Sequence, residues 1–194
     1  MGVSPPDIQK LEEQLDAAER DAQTLVIGLD EERGGWQDGS GSWSVAECLD
    51  HLATANRVYL QAMEESAIRA RQQGRLRRGP ATPGYVGRWF IRMLEPPAKV
   101  RLKAPKSIRP RTRPPLADAF ASFRTSQDAV RDFLRSFGEL DLAAVRFRNP
   151  FVRGIRFSLA TGLNVIAAHE RRHLWQAWAV RRSAERWAPL TYDK

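Results

Sequence analysis

Residues 158–182, SLATGLNVIAAHERRHLWQAWAVRR, decide the fold. Leu159, Leu163, Ile166, Leu174, Ala177 and Val180 recur on a three-to-four-residue period, which predicts an amphipathic helix from about Ser158 to Arg182. His169 and His173 stand four apart within it, so both imidazoles project from one face.

Three more segments upstream read the same way. The first follows Ser4-Pro5-Pro6-Asp7, a helix start, and carries Ile8, Leu11, Leu15, Ala18, Ala22, Leu25 and Leu29 in one stripe. The run Gly34-Gly35-Trp36-Gln37-Asp38-Gly39-Ser40-Gly41 breaks it. The second opens on the capping-box pattern Ser44-Val45-Ala46-Glu47, with Trp43 placed to staple onto Cys48, and runs to about Arg71. The third begins near Pro115-Leu116, carries Phe120, Phe123, Val130, Phe133, Leu134 and Phe137, and stops at Gly138.

Between the second and third helices lies a long connection, roughly residues 73–114, with a short aromatic helix expected over Tyr85 to Leu94. Lys99-Val100-Arg101-Leu102 alternates like an edge strand, but no sheet is expected for it to join. A second connection, about 138–157, holds Asn149-Pro150-Phe151-Val152-Arg153-Gly154; loops this long usually form functional walls or lids. The inferred architecture is all-α, a four-helix bundle with one long crossover, in a single domain over residues 1–194.

Histidine is scarce: His51, His169 and His173 are the only three. His51 lies about two turns into the second helix, so a bundle that turns these helices inward brings all three rings to one point. Three neutral imidazoles with open positions beside them suit Zn²⁺, Ni²⁺ or Fe²⁺. Spacing alone leaves that reading open beside packed core histidines. The string His169-Glu170-Arg171-Arg172-His173 also matches the zinc-protease motif, in which Glu is the general base. That motif needs a third ligand downstream, where this chain has no His and only Glu185 and Asp193. Upstream, His51 is the credible third ligand.

Three stretches together resemble the DinB-like superfamily: Trp43 to Leu52, Lys103-Ala104-Pro105 to Pro110, and His169-Glu170-x-x-His173-x-x-Gln176. The resemblance runs in order from the second helix to the end of the fourth. It implies an up-down-down-up four-helix bundle in which His51, His169 and His173 bind a divalent metal. Members of the superfamily include metal-dependent hydrolases and thiol-dependent transferases, so a metal-dependent enzyme is expected, with a low-molecular-weight thiol as one candidate co-substrate. The resemblance also makes a homodimer an expectation.

Around such a centre Glu170 is the sequence-local candidate for a catalytic carboxylate, and Glu47, one turn before His51, is the second. Glu47 serves equally as the capping-box partner. Asp50 is a third acid near the site, and Gln176, one turn past His173, can orient an imidazole. Cys48 can ligate a metal as thiolate, but as a staple partner it needs only to be small and apolar. Trp175 and Trp178 read as core packing. Arg57 and Arg172 are possible anchors for an anionic small-molecule substrate, or solvated surface groups.

The formal charge of +8 sits in one place. Residues 69–113 hold fourteen basic side chains and one acid, Glu95, a net +13, while the remainder carries −5. Of the 31 basic residues 26 are arginine, a bias that G+C-rich coding also produces. The segment can line the mouth of a pocket, or serve a non-enzymatic binding module for nucleic acid or an acidic partner. It contains no helix-turn-helix or zinc-finger pattern, so nucleic acid is the lesser expectation. No apolar run approaches a membrane span, the start MGVSPPDIQKLEEQLD has no signal-peptide pattern, and Cys48 is the lone cysteine. A cytoplasmic protein with no membrane partner is expected.

Overall fold

The computed structural model describes residues 4–39, 41–97 and 103–187. It is all-α apart from one small hairpin: α1 (Pro6–Val26), α2 (Glu31–Gly34), α3 (Val45–Gln72), α4 (Tyr85–Leu94), a 3₁₀ turn (Lys106–Ile108), α5 (Leu116–Phe137), β1 (Arg146–Arg148), β2 (Arg156–Ser158) and α6 (Leu159–Trp187). The alternating stretch Lys99–Leu102 lies outside the described residues, as does Asp193. No helix among the described residues is long and apolar enough to cross a membrane.

The four long helices follow the periodic stripes. In α1, Ile8, Leu11, Leu15, Ala18, Ala22 and Leu25 are buried. The helix stops at Val26, and Gly28 takes φ +74°, the left-handed conformation that glycine adopts without a Cβ penalty. Leu29, read from sequence as part of the helical stripe, therefore packs on the core from the loop. In α3 the capping box is complete: Glu47 N–H donates to Ser44 Oγ at 3.1 Å, and Glu47 Oε2 accepts from Ser44 N–H at 3.0 Å.

Two local elements escaped the sequence reading. One helical turn, α2, leads into the glycine-rich break, and its Asp30 cap accepts from Arg33 N–H at 2.7 Å. Its Glu31 carboxylate reaches across the fold and accepts the N–H groups of Leu116 and Ala117 at 2.6 and 3.2 Å. Those are first-turn donors of α5, whose own N-cap, Pro115, offers no side-chain acceptor. The second is the β1–β2 hairpin, which corrects the loop expected over 138–157. It pairs Phe147 with Phe157. Asn149 Oδ1 accepts from Phe151 and Val152 N–H, both at 2.8 Å, an Asx turn that starts the reversal. Strands of three residues, with one buried side chain in β1 and two in β2, are too short to show a period.

The core falls into two clusters. One joins the first half of α1, the second halves of α3 and α5, the hairpin, and the first half of α6. The other joins the second half of α1, the first halves of α3 and α5, and the second half of α6. At Gly162 of α6 an added Cβ would lie 2.5 Å from Met63 Sδ and 2.9 Å from the Phe147 ring, so only glycine lets α6 approach α3 and the hairpin this closely.

The start of α1 is tied to the long crossover by Asp7, which accepts Ala81 N–H at 2.6 Å and pairs with Arg77. Burial opposes ionisation of the carboxyl, but the Ala81 N–H and the Arg77 guanidinium outweigh it and hold the pKa below the ordinary value. A depressed folded pKa makes this stabilisation complete above the unfolded carboxylate range, and lost as pH falls through the folded value. Asp7→Asn is expected to cost about 1–3 kcal/mol at neutral pH. Urea unfolding at pH 7 and at pH 3 checks this, and the gap between variant and wild type should shrink at the acid pH.

Candidate metal centre

The histidines from α3 and α6 do converge. His51, His169 and His173 each offer a ring nitrogen, and all three nitrogens lie within 4.8 Å of one another. Ring centroids stand 4.5 to 4.9 Å apart. His51 Nδ1 donates to the Ile108 carbonyl at 2.5 Å, and His173 Nδ1 donates to Gln176 Oε1 at 3.1 Å. With Nδ1 protonated and held outward, Nε2 of His51 and of His173 keeps its lone pair for the centre.

His51 Nε2 and His169 Nε2 are 3.1 Å apart. Two nitrogens bound tetrahedrally at about 2.05 Å from one ion would stand about 3.3 Å apart, so the spacing suits a shared divalent cation. Burial pushes all three imidazole pKa values down. Mutual repulsion and the Arg172 charge add to this for His169 and His173, and the rings stay neutral at pH 7, the form that ligates metal. The donor set and the spacing both fit the group that the sequence pattern implied.

Trp43 packs over this cluster, its ring 4.6 Å from His51 and 5.6 Å from His173. Cys48, the expected staple partner, is fully buried in the same apolar cluster that Trp43 covers, and burial raises its thiol pKa. It stands outside the three-histidine group.

The acids named from sequence go elsewhere. Glu47 Oε2 serves the capping box and accepts from Gln37 Nε2 at 2.6 Å. Asp50 binds Arg111 through the backbone N–H at 2.8 Å, Nε at 2.8 Å and a terminal guanidinium nitrogen at 2.7 Å. Because Arg111 follows Ile108 by three residues, this clamp holds the crossover where the Ile108 carbonyl meets His51. Glu170 is fully buried, and its Oε1 accepts from Asn56 Nδ2 at 2.8 Å. Burial pushes its carboxyl up to about 7, against the Asn56 and Gln127 amides.

Arg172 is buried and donates to the Met93 carbonyl at 3.2 Å, and its charge is felt at two of the histidines. Arg57 is exposed and donates to Thr54 Oγ1 at 3.1 Å. Trp178 is core-packed and donates to Asp21 at 2.9 Å, whereas Trp175 is 43% exposed, against the expectation of core packing. At the centre of a 29-residue helix its position points outward from the α6 stripe.

Sequence reasoning missed the Ile108 carbonyl, the Asp50–Arg111 clamp and the Asn56–Glu170 pair. Only the proximity of Asp50 to His51 in sequence hinted at the clamp. Asp50→Asn is expected to lower divalent-metal affinity about 10–100-fold, the usual cost of losing an outer-shell partner, while His51 itself stays in place. Competition with a chromophoric chelator measures it, and unchanged affinity would show that the clamp does not orient His51.

Helical packing around a buried three-imidazole cluster defines the class: an all-α protein built to present three neutral ring nitrogens to one point. The chain belongs to the DinB superfamily, whose family model matches residues 14–177. Neither the search of curated proteins nor that of solved structures returned a match.

Proposed function

We propose that the protein is a metal-dependent enzyme of the DinB superfamily, in which His51, His169 and His173 hold one divalent cation, Zn²⁺, Ni²⁺ or Fe²⁺. The observation that carries this is the 3.1 Å approach of two neutral Nε2 atoms, one of whose rings is set by the Ile108 carbonyl. Two lone pairs that close repel unless a proton or a cation lies between them. The division of the core into two clusters supports an up-down-down-up order of α1, α3, α5 and α6.

Bound there, the cation supplies Lewis acidity that favours the deprotonated form of a thiol or a water. Hydrolysis would also want a carboxylate to take or orient a proton. Glu47 and Asp50 are committed to the helix cap and the Arg111 clamp, and Glu170 is enclosed between helices with its Oε1 on Asn56. We therefore favour transfer of a low-molecular-weight thiol, which needs no general base once the thiol is ionised. The thiol proton passes to solvent, the thiolate sulfur bonds an electrophilic carbon, and the leaving group on that carbon departs with its bonding pair. Arg172, beside His169 and His173, supplies positive charge that suits an anionic substrate group. Gln176 and the Ile108 carbonyl keep the imidazoles oriented.

The test loads the protein with each metal and supplies a thiol with a fluorogenic alkylating acceptor. Metal-dependent conjugation, absent in the apoprotein and in His173→Ala, is expected. Hydrolysis of ester or amide substrates without thiol consumption would replace transfer by hydrolysis. A purified protein that neither contains nor binds divalent metal would overturn the enzyme reading altogether.

A further inference from the structure

α4 carries two apolar faces, and among the described residues only one of them is used by the fold. On the inner side Gly87 lies against Thr161, where an added Cβ would come within 2.6 Å, Phe90 packs on Phe157 at 5.4 Å, and Leu94 is buried. On the outer side Tyr85 is 83% exposed, Val86 60%, Trp89 59% and Met93 38%. At about 100° per residue these four fall within an arc of about 100°, and Arg92 and Arg88 border it next to Tyr85. Both arginines are exposed. The helix sits in the segment 69–113, which carries a net +13.

We propose that the outer face of α4, with the basic segment around it, docks on an anionic lipid surface, the helix lying in the headgroup plane. An interfacial helix presents aromatic and aliphatic side chains along one side and arginines at its edge, which is the arrangement here. One apolar stripe of this length binds membranes only marginally; a basic cluster beside it is the second signal that makes attachment stable. The expectation of no membrane partner was drawn from spanning length. Ten helical residues reach only about 15 Å and do not span, but lying flat needs no such length.

Charge selects this occupant over a second copy of the chain, since pairing α4 with itself would bring two +13 segments together. The composition of the stripe selects lipid over nucleic acid, because the exposed Val86 and Met93 add aliphatic surface that hydrocarbon takes up and stacked bases do not. Several arginines of the segment are already held by acids of the fold: Arg77 by Asp7, Arg71 by Glu139, Arg111 by Asp50. Arg88 and Arg92 remain at the edge of the stripe. The inference is independent of the histidine site.

The experiment is co-flotation of the full chain with phosphatidylcholine vesicles, with and without about one-third phosphatidylglycerol, at physiological salt. Binding to the anionic vesicles is expected, at least tenfold weaker on neutral ones. Arg88→Gln with Arg92→Gln should weaken it about thirtyfold, at about 1 kcal/mol per basic residue near the surface. Trp89→Ala should weaken it about tenfold or more. All three positions are exposed, so unchanged melting curves check that the variants fold. No binding to anionic vesicles overturns the proposal, as does equal binding by Trp89→Ala. So does a wild-type dimer that Trp89→Ala splits, or retention of a single-stranded oligonucleotide in place of vesicles.

Discussion

His173→Ala is expected to abolish stoichiometric binding of divalent metal. Removing one of three imidazoles leaves two, from different helices, and no other His, Cys, Asp or Glu among the described residues joins the cluster. The effect on stability is large because binding to the folded state alone stabilises by mass action: metal at a thousand times its Kd contributes about 4 kcal/mol. For a chain of this size that raises the melting temperature by about 8–16 °C. Wild type should show the rise and His173→Ala should not, while their metal-free melting curves stay close. Elemental analysis of the two purified proteins is the direct check. If the variant keeps its metal, these histidines are not the ligands.

The second large effect concerns Glu170, the residue that the protease-like string would make a general base. Its carboxylate is enclosed with Asn56, Ser126 and Gln127, side chains from α3 and α5 that are all essentially inaccessible. Asn56 Nδ2 bridges Glu170 Oε1 at 2.8 Å and Ser126 Oγ at 3.2 Å, so the group braces α6 against α3 and α5. A general base lost to an amide would cost about 10²–10⁴ in rate. A brace keeps its shape in Glu170→Gln, and activity within a few-fold of wild type is expected. Asn56→Leu, by contrast, leaves the carboxyl without its partner; burial already holds it near 7, so it takes up a proton instead of staying charged, and a cost of about 1–3 kcal/mol is expected. Denaturant unfolding and metal-loaded turnover on both variants separate the two roles. A rate loss of a hundredfold in Glu170→Gln at unchanged metal content would restore Glu170 as the base.

Much of the site was legible beforehand because it is carried by helices. A period of three to four residues places side chains on a face whatever the partner, so the stripes of α1, α3, α5 and α6, and the pairing of His169 with His173, follow from local geometry. The capping box at Ser44 is equally local, and so is the short helix Tyr85–Leu94. Elements of three or four residues leave no period to read, which is why α2 and the β1–β2 hairpin were missed.

The sequence by itself determined the helices, the scarcity and spacing of the histidines, and the placement of all surplus positive charge in one crossover. Tertiary structure alone decided what each polar group meets. It set Ile108, 57 residues away, on His51, and Asn56, 114 residues away, on Glu170. It also turned one apolar face of α4 inward and left the other outside. A hydrogen bond needs two groups within about 3 Å, and chain separation says nothing about that distance until the helices have packed.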